Sequence, residues 1–370
     1  RENSGRSMMN MLKCLLVAAC GAALLAPAAS FGADKNAAGF VSYASHDDLV
    51  KEARAESGTL TVTFAQPQSA VDEIVKLFIA KYGFAKAVGQ EVGNSDARLL
   101  LELKAGTHKS DVVHLEEELG LANYYPHLYK VDLLGMAEKK VIDLPVKMIN
   151  PKQANVAALG SALAGVSYNS KVLPADLIPK SYEDLLNPKL KNSGLLWVDV
   201  SQASGLAALF VVWGKDKVID YTTKLGEQRP VWTTGATRSV TAMAAGEYAI
   251  GSLNHYHSVI RIREQRKAPH LEAVLLEPVP VRLNNILGIN HKTTMPATAA
   301  LFIEFMATDK VQEIFDRAGP IKASVFKTGS LPNKLVEGKK IAFVGWDDVD
   351  EIEPLQKRIF ESWKFPVATK

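Results

Sequence analysis

Thr59-Leu60-Thr61-Val62-Thr63-Phe64, the break at Gln66-Pro67-Gln68-Ser69, and then Val71, Ile74, Val75, Phe78, Ile79 and Tyr82 set the fold class. The first six residues alternate and are rich in β-branched side chains, the pattern of a strand. The last six recur at helical spacing behind Ser69, a suitable N-cap. The unit then repeats. Asp96 to Lys104 carries Leu99, Leu100 and Leu103 and ends at Gly106, a helix stop, before the short strand Asp111-Val112-Val113-His114. Farther on, Leu195-Leu196-Trp197-Val198 reads as a buried strand, Ser201 to Gly205 as a turn, and Leu206 to Trp213 as a helix. Val231-Trp232-Thr233 leads into Gly235-Ala236-Thr237-Arg238-Ser239 and a helix that stops at Gly246, after which Tyr248-Ala249-Ile250-Gly251 re-enters a sheet. Pro354 to Trp363 is amphipathic, with Leu355, Ile359 and Trp363 on one face. Strands alternating with helices predict an α/β architecture, with ligands where loops leave the carboxyl ends of strands.

Composition narrows the classes. The 370 residues are 47% hydrophobic and 22% charged, with 43 Lys and Arg against 40 Asp and Glu. That near balance argues against a nucleic-acid partner, and the apolar fraction argues against disorder. A chain this long tends to split into two bodies around separate cores. Its two cysteines, Cys14 and Cys20, both fall in the first twenty residues. A disulfide framework, a thiolate metal site and a cysteine nucleophile are therefore not expected beyond them.

Residues 1–33 read as a secretory signal peptide, with 1–7 as an upstream extension. Lys13 precedes the apolar run Cys14 to Ala26, and the small residues Ala28-Ala29-Ser30 supply a cleavage site. About 13 apolar residues fall short of the roughly 20 that a membrane span needs. Acylation of Cys20, as in a lipoprotein, is the less favoured alternative, because the apolar run continues past it. The mature chain is expected to start near Asp34 and to be exported to the periplasm.

Five landmarks resemble one family. Tyr168-Asn169-Ser170-Lys171-Val172-Leu173 and Pro179-Lys180-Ser181-Tyr182-Glu183-Asp184-Leu185-Leu186-Asn187-Pro188-Lys189-Leu190-Lys191 are similar to a stretch of the periplasmic solute-binding proteins. The resemblance is nearest to the ferric-iron and anion-binding group that feeds ABC importers. Asp111-Val112-Val113, Ala244 to Gly251 and Thr298 to Met306 follow the family order between about Thr59 and Ser324. The resemblance implies two Rossmann-like α/β lobes joined by a hinge, the type II binding-protein arrangement. Lobe one would take 34–165 and 290–330, and lobe two 166–289 and 331–370. It implies a non-catalytic monomer that captures a small molecule or ion for an inner-membrane ABC permease and holds no cofactor unless Fe(III) is the cargo.

Ferric-binding relatives use a His, a Glu, a pair of tyrosines and a captured anion. Hard Fe(III) suits such anionic oxygen donors. By resemblance the His position falls on Pro67, which cannot ligate, and Gln66 beside it joins the ligand-binding set. The Glu falls on Glu116 and the tyrosine pair on His255-Tyr256, so Glu116, His255 and Tyr256 are the expected metal ligands. His114 faces the same presumed cleft, and Tyr124-Tyr125 is a second tyrosine pair. Ser204 and Gly205 sit at a strand-to-helix turn, where free N–H groups and the helix dipole favour an anion. Arg238 and Ser239 occupy the next such turn, and an Arg binds carboxylate or phosphate through paired hydrogen bonds. Arg238 thus favours an organic or phosphorylated anion over iron alone. An exported hydrolase using His255, His257 and Glu116 or Glu117 is a third reading, but neither His-Glu-x-x-His nor Gly-x-Ser-x-Gly occurs. A cation carrier would need an acidic, Trp-lined cleft, whereas Trp197, Trp213 and Trp232 read as core.

Overall fold

A computed structural model describes residues 33–92, 96–319 and 321–364. The expected leader lies outside them, save Ala33. Strands β1 (Ala33–Lys35) and β2 (Val41–Tyr43) form an antiparallel ribbon. The other ten strands among the described residues make one mixed sheet: β3 (Leu60–Phe64), β4 (Ala87–Glu91), β5 (Val112–Glu117), β6 (Ala157–Asn169), β7 (Leu196–Asp199), β8 (Val231–Thr233), β9 (Ile250–His255), β10 (Leu271–Val274), β11 (Val279–Ile289) and β12 (Ile341–Val344). The order is β4-β3-β5-β11-β6-β9-β7-β8, with β10 against β6 and β12 against β11.

Two long strands belong to both ends of this sheet. β6 pairs with β11 over Ala157–Leu163 and with β9 over Ala164–Tyr168. β11 pairs with β12 through Val279–Arg282 and with β5 through Asn284–Ile289. Each therefore starts among the strands of one half and finishes among those of the other, the two running in opposite directions. Every residue of β11 is buried, and in β6 all but Tyr168. Strands covered on both faces read as unbroken apolar runs without alternation.

In the first half β3 lies parallel to β4 and β5. Val71, Ile74, Val75 and Phe78 of the helix Gln68–Lys81 face the sheet, and Phe302 and Phe305 of the buried helix Pro296–Met306 pack on Phe78. In the second half β7 runs parallel to β8 and β9. A second apolar cluster continues from Leu115 and Leu128 through Leu283 and Ile286 to Leu253 and Trp363, so core packing crosses the two long strands.

The α/β reading holds, with local differences. The helix after β3 starts at Gln68, and Pro67 rather than Ser69 takes the cap position. The segment read as one helix from Leu206 to Trp213 is two short pieces, Ala203–Ala207 and Phe210–Trp213. The last helix begins earlier, at Val349, and takes Pro354 inside it. Trp197 is fully buried, as expected, whereas Trp213 and Trp232 are only half-buried.

Candidate functional site

Side chains from β5, β9 and β11 bring charge together in the middle of the sheet. Arg282 lies in β11 between apolar neighbours and is 2% exposed. Its guanidinium stands 3.3 Å from Glu117 and 3.4 Å from Glu118. A buried charge needs such partners, because the interior cannot replace its hydration. Glu118 is fully enclosed, and burial raises its carboxyl above the ordinary range, Arg282 only partly opposing this. For Glu117 burial pulls the same way but is outweighed by Arg282, His255 and Lys322, so its carboxyl titrates below the ordinary value.

His255 ends β9, its Nε2 3.8 Å from Glu117. Burial pushes this imidazole down to about 4, with Glu117 pulling the other way. The His257 ring lies 5.2 Å from it and is also lowered by burial, to well below the usual histidine value. On the other side of β5, Lys322 Nζ donates to Glu116 at 2.7 Å, and both side chains are largely buried. Asn284 donates to the Glu116 carbonyl. Asn285 accepts from His114 Nε2 at 3.1 Å and donates to the Lys322 carbonyl at 3.3 Å. Neighbouring residues of β11 thus hold the Glu116–Lys322 pair in place.

A cavity of about 480 Å³ opens beside this pair. Gln66, Gly319 and Lys322 line it from the first half, and Thr237 and Arg261 from the second. Gln66 is 2% exposed and its Nε2 has no hydrogen-bond partner. Arg261 donates to Thr237 Oγ1 at 3.1 Å. Arg317 and Glu264 complete the charged lining, giving three cationic side chains against one acidic. Such a wall of donors suits an anion.

The residues singled out from sequence fall into separate places. Glu116, Glu117, His255 and His257 converge on the charged cluster, and Gln66 on the cavity beside it. Tyr256 begins the helix Tyr256–Gln265 and packs with Leu163, Val279 and Leu275, its ring against Gly165. Burial raises its phenol, and the charges acting on it are Arg263 and Glu272. Ser204 and Gly205 are buried inside the five-residue helix Ala203–Ala207, where Gly205 abuts Ala164 and Leu253. Arg238 is exposed and borders a different cavity, about 1000 Å³, with Trp232, Tyr248 and Arg266. Ser239 is buried, donating to the Gly235 carbonyl at 3.2 Å and facing Asp199 at 3.4 Å. Asp199 also accepts from the Ser201 hydroxyl at 2.6 Å and the Gly235 N–H at 3.2 Å. A carboxylate of the chain itself therefore occupies that helix start.

His114 is buried, and Tyr124 is 4% exposed while the Tyr125 hydroxyl accepts from Asn150 at 3.1 Å. Among the described residues no three His, Cys, Asp or Glu side chains group to hold a metal. Sequence reasoning missed Arg261, Arg282 and Lys322. Arg282 had a legible signal, a lone charge in the otherwise uncharged stretch Val279 to Ile289, whereas Lys322 and Arg261 stand among ordinary helix and loop residues.

Comparison with known proteins adds the lineage. Residues 134–351 match the family model of the bacterial extracellular solute-binding protein. No curated protein matches. Among solved structures, a Trichodesmium protein in complex with iron and citrate shares 16% identity, covering 84% of this chain and 100% of its own, at a TM-score of 0.64. Apo ferric ion-binding protein A of Pasteurella haemolytica shares 16% over 85% and 100% of the two chains, at 0.63. The substrate-binding protein of an Agrobacterium tumefaciens ABC transporter shares 14% over 83% and 94%, at 0.59. These likenesses establish the type II periplasmic binding-protein fold. Among the described residues no helix is long and apolar enough to cross a membrane.

Proposed function

The chain belongs to the bacterial extracellular solute-binding protein family, and we propose that it is the periplasmic capture component of an ABC importer whose cargo is a small anion. Proteins of this family and fold bind solutes rather than transform them. The observation that carries the anion reading is the cavity at Lys322. It is donor-rich, holds the unpartnered amide of Gln66, and draws Lys322 from one half and Arg261 from the other. An anion seated there pulls both halves toward itself, and hinge closure converts occupancy into a shape that a membrane permease reads. In this reading the two lobes are close to 34–165 with 290–330 and 166–289 with 331–370, and β6 and β11, whose ends pair in different halves, carry the crossing between them.

Lys322 already has Glu116 as a partner, so binding is an exchange in which the cargo competes for the ammonium. Truncating one partner of a desolvated charge pair costs about 2–5 kcal/mol. Calorimetric titration with phosphate, acetate and citrate tests this. Lys322→Met and Arg261→Met are each expected to weaken the preferred anion at least tenfold. Unchanged affinity in both variants would refute the anion site.

A second reading is Fe(III) held with a synergistic anion. The approach of Glu116 and His255 to one cluster favours it, and the packing of Tyr256 leaves the anion to fill most of the coordination. Phenolate bound to ferric iron absorbs visible light. A coloured complex after ferric loading supports participation of Tyr256, ferric iron bound without that colour removes Tyr256 from the ligands, and no ferric binding at all leaves the metal-free anion.

A further inference from the structure

Thr61, Thr63 and Ala65 of β3 and its following loop line a second cavity of about 470 Å³, together with Gln90 of β4 and His114 and Glu116 of β5. It lies on the sheet face roofed by the helix Asp96–Ala105 and the residues that follow it. Ala65 borders both this cavity and the one at Lys322. The Glu116–Lys322 pair stands between them, Glu116 on one and Lys322 on the other, 2.7 Å apart. The two spaces are therefore neighbours across a single ion pair.

Their chemistry differs. The charged groups of the second cavity are largely engaged with one another: Glu102 takes Arg98 Nε at 3.4 Å and His108 Nδ1 at 3.0 Å. His108 Nε2 is buried with no hydrogen-bond partner, a ring nitrogen open to a ligand hydroxyl, which can both donate and accept. The His108 side chain itself is only 9% exposed. His114 donates from Nε2 to Asn285, which leaves Nδ1 as an acceptor. Thr61, Thr63 and Gln90 can both donate and accept. Ring nitrogens interleaved with hydroxyls and an amide, with exposed Lys109 the one charged lining residue outside these pairs, match a neutral ligand portion that carries several hydroxyl groups.

We propose that this cavity is the second compartment of the ligand site, receiving the uncharged, polyhydroxylated part of a cargo whose anionic group sits at Lys322. The proposal rests on the anion reading of the Lys322 cavity and adds the class of molecule attached to the anion. Titration calorimetry on the full chain tests it with matched pairs, phosphate against glycerol 3-phosphate and acetate against gluconate. In at least one pair the hydroxylated anion is expected to bind at least tenfold more tightly. Thr63→Val, and independently Gln90→Ala at an exposed position that folding does not need, are expected to reduce that advantage to under threefold while the bare anion binds as before. Bare anions binding as tightly as their hydroxylated partners would overturn the second compartment and leave the anion site standing. No binding of any of the four would remove both.

Discussion

Arg282 brings a guanidinium to the centre of a sheet, and neither Nη atom makes a hydrogen bond there, leaving Glu117 and Glu118 as its electrostatic compensation. Removing one member of such a group strands the others. Arg282→Met is expected to destabilise the fold by about 3–5 kcal/mol in urea denaturation, and adding Glu118→Gln to recover part of that loss. No recovery in the double variant would mean that Glu118 does not depend on the arginine. The imidazoles act through pH. Burial lowers both His114 and His255 to about 4, against an ordinary value near 6.5. The unfolded chain therefore takes up these protons first. Stability is full above roughly pH 6.5, falls as pH drops toward 4, and levels off below, with a loss of about 3 kcal/mol per imidazole across that window. His114→Gln is expected to flatten the curve between pH 6.5 and 4, and an unaltered slope would deny that residue its part. At this scale the sequence was informative in proportion to chemical oddity. Glu116 and His255 were legible through resemblance, and His114 through its place on a short strand. Lys322 was not, because nothing local distinguishes a lysine that folding will bury from one on the surface.

The elements divide along a similar line. β3 and the helix after it were readable because one face of each is buried and the other is not, which writes a period into the sequence. β6 and β11 write no period, since they are covered on both faces, and so the two strands that join the halves escaped notice. Ser204-Gly205 shows the same limit in a turn: a motif suited to a helix start lies one step inside a short buried helix. The crossing of β6 over the site is tight. A Cβ at Gly160 would stand 2.6 Å from the Lys322 carbonyl and 2.6 Å from Asn285 Nδ2. A backbone carbonyl cannot swing aside as a flexible side chain can, so Gly160→Ala must move the segment that carries Lys322. Overpacking of this kind costs about 1–3 kcal/mol. The variant is expected to melt earlier and to bind the anion more weakly. Lower stability with unchanged affinity would separate Gly160 from the site.

At the scale of the molecule, one sheet with two ends joins the halves. β6 and β11 link the halves, and core packing continues across them. The cavity at Lys322 takes donors from both halves. The α/β class and the order of landmarks were legible from the chain alone, because both depend on periodicity and spacing. The cargo was not, because it depends on side chains that meet only after folding. Calorimetric titration of the preferred anion into the full chain and into Lys322→Met and Arg261→Met, one from each half, tests capture between the halves most directly. The expected result is a loss of at least tenfold in affinity for each variant, with both still folded. Loss in one variant and none in the other would put the cargo on a single half and contradict the account.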